Sequence, residues 1–214
     1  MKKLFLLIAA LCLMASSAIA QTQLTKGNIL LGVTTAMSMD DDFWGSEFMG
    51  FGFSTSKIKY GSDPAVDDHK TSTFNLQPKA GFFLMDNLVA GLEVMISSYM
   101  SKDTDDGDKY GEMVFGVGPF VRYYYPMEKF YPFAELETMF GSYREDWQGD
   151  IYKEGLMMVG VNIGAALPLG EKVTFDAMAG YSSITWTSKD EEDGETHKYM
   201  TGGFGLKMGF SVYL

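Results

Sequence analysis

The sequence predicts an all-β chain: an eight-stranded antiparallel up-and-down transmembrane β-barrel that follows a cleaved signal peptide. Three observations carry this expectation. Apolar side chains recur with a period of two along most of the chain. Tight turns alternate with longer acidic connections, the turn pattern of a membrane barrel. The glycines collect on the polar face of the alternation.

Residues 1–20, MKKLFLLIAALCLMASSAIA, hold a positive start at Lys2 and Lys3 and a short apolar core from Leu4 to Met14. They end on Ala18-Ile19-Ala20, an A-x-A cleavage signature whose small residues are Ala18 and Ala20. The apolar run is short for a bilayer span, so the segment reads as a secretory signal. The bulky Leu11 stands before Cys12 where a lipoprotein signal has a small residue, which argues against lipidation. Cleavage after Ala20 leaves residues 21–214 as one domain without cysteine, so no disulfide is expected. Loss of Lys2 and Lys3 takes the formal charge from −11 to −13, which argues against a nucleic-acid partner. No later run is long and apolar enough for a membrane helix, whereas a membrane barrel leaves only a weak signal per strand.

Ile29, Leu31, Val33 and Met37 open the pattern, and a second run, FMGFGFSTSKIKY (48–60), follows. Residues 28–60 together are expected to supply the first strand. Either that strand bends around 38–47, or one of its two runs fails to span. Phe74, Leu76, Ala80, Phe82 and Leu84 then share one face, opposite Asn75, Gln77, Lys79 and Gly81. Leu88, Ala90, Leu92, Val94 and Ile96 repeat the pattern, as do Met113, Phe115, Val117, Val121, Tyr123 and Tyr125. Ala134, Leu136 and Phe140 come next, followed by Met157, Val159, Val161, Ile163 and Leu167. Val173, Phe175, Ala177, Ala179 and Tyr181 give the seventh strand; Phe204, Leu206, Met208, Phe210, Val212 and Leu214 the eighth. Short turns are expected at 85–87, 127–129 and 168–171. Longer connections are expected at 59–70, 101–111, 144–155 and 188–198. An even strand number then leaves both termini on the short-turn, periplasmic side.

Gly32, Gly81, Gly91, Gly116, Gly118, Gly141, Gly160, Gly164, Gly180, Gly203, Gly205 and Gly209 all fall on the polar face. The interior of an eight-stranded barrel is just wide enough for side chains, so small residues belong there and the apolar face meets lipid. On the wet exterior of a soluble barrel the same glycines would only weaken the strands. Closing the hairpins symmetrically sets Lys79 opposite Glu93, Arg122 opposite Glu135, Phe120 opposite Glu137 and Asp176 opposite Lys207. Each basic group then has an acid within reach, which a buried luminal charge requires. Pro78 and Pro119 each remove a ladder donor and should mark a bulge or a gap.

The segments FNLQPKAGFFLMDNLVAGLEV, GVGPFVRYYYPMEKFYPFAEL and LPLGEKVTFDAMAGYSS resemble strand–turn–strand units of the outer-membrane β-barrel domain family of Gram-negative bacteria. The terminal Leu214, where an aromatic is commoner, and the extra segment 38–60 depart from that pattern. The resemblance implies a small OmpX- or OmpW-like barrel and no defined activity.

No P-loop, dinucleotide glycine motif, H-E-x-x-H or G-x-S-x-G is present. His69 and His197 stand at loop–strand junctions, and Ser72 near His69 is too unspecific a spacing to make a nucleophile–base pair. The run DTDDGD lacks the glutamate a calcium loop needs at its twelfth position, where Val114 stands. The aspartate clusters at 40–42, 103–108 and 190–193 read first as solvated, mutually repelling loops, then as weak cation bridges to lipopolysaccharide. No catalysis, cofactor or metal is therefore expected. The role this leaves is that of a structural or surface-interaction protein with a filled polar lumen. The alternative is a narrow channel or transporter for small or hydrophobic solutes. The expected partners are outer-membrane lipid, lipopolysaccharide and the barrel-insertion machinery, with the barrel itself a monomer.

Overall fold

The computed structural model describes residues 24–38, 51–58, 66–103, 109–147, 149–189 and 196–214. The segment read as a signal peptide, with Ala18 and Ala20, lies outside them, as do most of the aspartate clusters. Among the described residues nine antiparallel strands form: β1 (Ile29–Ser38), β2 (Phe51–Ile58), β3 (Val66–Met85), β4 (Leu88–Asp103), β5 (Lys109–Tyr124), β6 (Tyr131–Trp147), β7 (Asp150–Pro168), β8 (Val173–Lys189) and β9 (Thr196–Tyr213). Each of β3 to β9 pairs with its neighbour in sequence, and β1 pairs with both β9 and β3, which closes the sheet.

Nine strands occupy eight positions. β1 runs beside the lower half of β3, from Ile29 opposite Phe82 to Thr34 opposite Gln77. β2 runs beside its upper half, from Phe51 opposite Phe74 to Ile58 opposite Val66. The two apolar runs at the start of the chain thus share the first place in the barrel. β1 stays on β9 as far as Ser38 opposite Gly205.

Alternation sorts the side chains inside out relative to a soluble protein. On β7, Met157, Val159, Val161, Ile163 and Leu167 are exposed, and the even-numbered residues between them are buried or half-buried. On β5 the exposed set is Met113, Phe115, Val117, Val121 and Tyr123, and on β9 it is Phe204, Leu206, Met208 and Phe210. No charge interrupts the outward face along 88–98, 113–123, 157–167 or 204–214. Eleven residues rise about 36 Å along a strand, or about 25 Å along the membrane normal at a tilt near 45°. That height matches the apolar band of a membrane barrel. Tyr123 and Tyr125 are about half exposed where the band ends at the short turns, the level of an interfacial aromatic girdle.

The short turns lie where expected. Asn87 takes a left-handed backbone (φ 68°) in the two-residue link from β3 to β4, a conformation asparagine tolerates through its short polar side chain. Ile29 and Leu214 exchange backbone hydrogen bonds at 2.8 and 2.9 Å, so both described ends sit at the short-turn end.

One long connection is not a loop at all. β6 continues to Trp147 and β7 starts at Asp150, with Gly149 at φ 100° and its N–H donating to Asp146 Oδ1 at 3.1 Å. Strands of 16 to 20 residues from β3 onward project beyond the apolar band. There both faces meet water, so the hydrophobic period stops while the backbone ladder goes on.

Both prolines leave gaps without changing register. The β3–β4 ladder keeps one register from Leu76–Ile96 to Lys79–Glu93 and skips Gln77 and Pro78. The β5–β6 ladder skips Gly118 and Pro119 between Val117–Phe140 and Phe120–Glu137. Each proline is paired on its other side, to Val33 and Leu92 respectively. The missing N–H thus breaks one ladder only.

The outward apolar band can be tested by placing a charge on it. Val161→Arg, near the middle of the band, should cost about 2–4 kcal/mol of unfolding free energy measured in lipid vesicles. A neutral effect would contradict a lipid-facing β7.

Candidate functional site

The lumen is filled in three layers. At the short-turn end lies an apolar and aromatic plug that includes Leu30, Phe83, Val89, Phe120, Tyr124, Phe133 and Tyr213. Leu24 joins it, 5% exposed, from the segment before β1. That segment is tied down by Gly27 N–H to Phe83 O at 3.0 Å and by Asn87 N–H to Leu24 O at 2.8 Å. Toward the other end Met95, Val114, Met139, Leu156, Met158 and Ile184 form a second apolar plug, with Tyr143 and Trp186 against it. An inward face expected to be polar leaves no place for these layers. Their signal is visible in hindsight as doublets, Phe82-Phe83 and Val94-Met95, where apolar residues fall on both faces.

Between the plugs sit all seven charged residues expected in the lumen. Lys79, Glu93, Arg122, Glu135, Glu137, Asp176 and Lys207 are each no more than 8% exposed. Glu135 is shared by two cations: Arg122 Nε donates to its Oε2 at 2.7 Å and Lys79 Nζ to its Oε1 at 3.0 Å. Arg122 Nη1 donates to Asp176 Oδ2 at 2.6 Å and to the Tyr124 hydroxyl at 3.0 Å. Thr174 and Ser211 also donate to Asp176, at 2.7 and 2.8 Å. Lys207 Nζ donates to Glu137 Oε1 at 2.5 Å. The Arg122 guanidinium lies 4.1 Å from the centre of the Phe133 ring, and Lys79 Nζ 5.0 Å from that of Phe120. The lower plug thus solvates the cations as well as sealing the barrel.

Three of the four expected cross-strand pairings hold: Lys79–Glu93, Arg122–Glu135 and Phe120–Glu137. The fourth does not. Asp176 lies opposite Gly209, and Lys207 opposite Met178. The β8–β9 ladder is displaced by two residues from the expected pairing. A shift of two keeps every side chain on its face, so the hydrophobic period cannot detect it. Asp176 then reaches Arg122 and Lys207 reaches Glu137, both across the lumen.

The glycines make room for these long side chains. Glu93 stands opposite Gly118, Glu137 opposite Gly160, Lys79 opposite Gly32 and Asp176 opposite Gly209. A Cβ on Gly160 would fall 2.6 Å from Glu137 Oε1 and 2.9 Å from its Cγ.

Three cations face four carboxylates, and Glu93 is the least satisfied. Lys79 Nζ is 3.2 Å from its Oε1, yet neither oxygen of Glu93 has a hydrogen-bond partner. Glu137 Oε2, Arg122 Nη2, Gln77 Oε1 and Asn162 Nδ2 also lack one. Oxygens of Glu93, Glu135 and Glu137 lie within 4.8 Å of one another, spacing that fits metal ligation. Lys79 and Lys207 already bond to that trio, so a further cation would face two ammonium groups.

Ser72, weighed as a nucleophile, lies on β3 and is half-buried; the His69 side chain is outside what is described, and His197 is exposed. Among the described side chains, the chemistry the lumen offers is charge neutralisation. Arg122→Met should destabilise the barrel by about 3–5 kcal/mol, because Glu135 and Asp176 both lose a buried partner. Adding Glu135→Gln to that variant should recover part of the loss, read as a positive coupling in a double-mutant unfolding cycle.

No protein-family model matches the chain, and no curated protein matches it significantly. Among solved structures it is similar to Neisserial surface protein A, at 13% identity over 86% of this chain and 95% of that one, TM-score 0.42. It is similar to the outer membrane protein OprG from Pseudomonas aeruginosa, at 12% identity over 92% and 99%, TM-score 0.44. It is also similar to the outer membrane protease OmpT from Escherichia coli, at 10% identity over 87% and 96%, TM-score 0.42. Identity this low carries over no residue role. With its apolar band outside and its charges inside a closed sheet of eight positions, the chain has the architecture of a small outer-membrane β-barrel.

Proposed function

We propose that this barrel is a closed, monomeric outer-membrane protein with a structural or surface-interaction role and no catalytic or transport activity. One observation carries the reading: the buried charged layer is roofed and floored by apolar plugs. An ion crossing would have to leave water at Tyr124 and Phe133, and again at Met139 and Ile184. Desolvating an ion against such surfaces is costly. The partners that follow are outer-membrane lipid, lipopolysaccharide at the exposed end and the barrel-insertion machinery. Residues 1–20, cleaved after Ala20, would direct export, and the short turns with both ends of the mature chain would face the periplasm.

A narrow channel or transporter is the second reading, favoured by the buried polar atoms that lack protein partners, among them the Glu93 carboxylate. Water bridging those atoms would be the start of a path. Planar-bilayer recording separates the two. The closed barrel should give no stepwise current while migrating as a heat-modifiable folded species on a denaturing gel. Reproducible unitary steps from that folded species would establish the channel instead.

A further inference from the structure

Above the upper plug the inward face changes character. Tyr99, Tyr110, Tyr143, Trp147 and Trp186 occupy inward-alternating positions on β4, β5, β6 and β8, with Glu112, Glu145 and Glu154 among them. Tyr99 and Tyr110 meet edge to face at 6.1 Å, Tyr110 and Trp147 at 5.6 Å, and Tyr143 and Trp186 at 5.2 Å. In an edge-to-face pair, the ring presenting its edge keeps both faces clear of its partner. Tyr110 donates to Glu112, and Tyr143 to Glu145 at 3.4 Å. The phenols orient these carboxylates without neutralising them. Burial, and after it the hydrogen bond to Glu112, holds the Tyr110 phenol above its ordinary value, so it remains a neutral donor.

Two features make this cluster more than a solvated rim. Glu112 and Glu145 stand directly opposite each other across the β5–β6 ladder, an arrangement of like charges that destabilises a sheet unless a cation offsets it. Neither forms an ion pair among the described residues. The basic residues at this end are segregated to the other face: Lys70, Lys102, Lys109, Arg144, Lys153 and Lys198 are all exposed at outward-alternating positions. No lysine or arginine with a described side chain faces inward above Lys207. The site is also reachable, since Tyr110, Glu112, Tyr143, Glu145 and Trp186 are all partly exposed and Trp147 is 58% exposed.

We infer that this mouth binds a small organic cation, an amine or quaternary ammonium group carrying an apolar body. Glu112 and Glu145 supply the counter-charge, and the Tyr110, Tyr143, Trp147 and Trp186 rings provide cation–π and apolar contact. A hydrated metal ion would use the carboxylates but not the rings, and an anion would be repelled. The inference deepens the surface-interaction reading and rests on it for a ligand held at the mouth, not for closure of the lumen below.

The test is quenching of tryptophan fluorescence in the protein purified from membranes in a nonionic detergent, with benzyltrimethylammonium as probe. Saturable quenching that weakens with added salt is expected, with no such response to p-toluenesulfonate, a similar-sized anion. Glu112→Gln/Glu145→Gln should bind about ten-fold more weakly, equivalent to about 1.4 kcal/mol. Outward-facing Arg144→Gln should bind as the parent does. If the double variant fails to migrate as a heat-modifiable barrel, Glu145→Gln alone serves, with about a three-fold loss expected. Equal quenching by the anion, or unchanged affinity in the folded glutamine variant, would overturn the site. A barrel that conducts in planar bilayers yet binds the cation would defeat the closed-lumen reading and leave this one standing.

Discussion

The structure depends on keeping Arg122 solvated. A buried guanidinium is tolerable only with close compensation, and Arg122 finds it on four sides, with Nη2 alone lacking a hydrogen-bond partner. Glu135 and Asp176 supply charge, Tyr124 a hydroxyl and Phe133 a ring face. Those partners come from β5, β6 and β8, so the arginine ties strands that are not neighbours in the sheet. Asp176 in turn takes donors from Thr174 and Ser211, and Tyr213 reaches both Thr174 and Tyr124. The last strand is thereby linked to the middle of the barrel by side chains as well as by its ladder to β1.

The bilayer explains why such a network is found here. A barrel that faces lipid gains nothing by keeping its apolar residues inside alone, because its exterior must be apolar too. Its interior is narrow and must be filled, and polar groups placed there are cut off from water. They persist by satisfying one another, which the charged layer does for all but a few atoms, those of the Glu93 carboxylate among them. Glycine opposite each long charged side chain is the packing side of the same constraint: Gly32, Gly118, Gly160 and Gly209 leave the volume into which Lys79, Glu93, Glu137 and Asp176 extend. The apolar plugs above and below remove solvent from the ion pairs and strengthen them electrostatically. The same seclusion makes the Glu93 carboxylate, which lacks a hydrogen bond, the weakest point of the layer.

The two ends of the barrel differ in kind. At the short-turn end, Leu24 and the backbone bonds of Gly27 and Asn87 draw the chain over the plug. At the other end, the strands rise past the band, their outward faces turn basic and their inward faces aromatic and acidic. Hydrophobic alternation ceases at 144–155, which is why the sequence suggests a loop there. In the structure the hairpin continues to a tight turn at Gly149, because backbone pairing does not require an apolar face. The aromatic and acidic residues of the mouth were thereby hidden inside what read as a connection.

Local periodicity determined which face each residue takes, since successive side chains in a regular strand alternate and one face had to meet lipid. From that came the barrel, the short turns, the inward glycines, the seven luminal charges and the Lys79–Glu93 and Arg122–Glu135 pairs, whose hairpin turns are short enough to fix register. Tertiary structure alone decided what lies beyond one strand pair. It slid β9 by two residues along β8, and it gave Arg122 a second acid, Asp176, from across the lumen. It also paired Lys207 with Glu137, stacked the charges between apolar plugs and divided the first barrel position between β1 and β2. The physical reason is common to all of these. A period of two is unchanged by any even shift and carries no information about which residues meet across a closed interior, where partners are chosen by distance and charge.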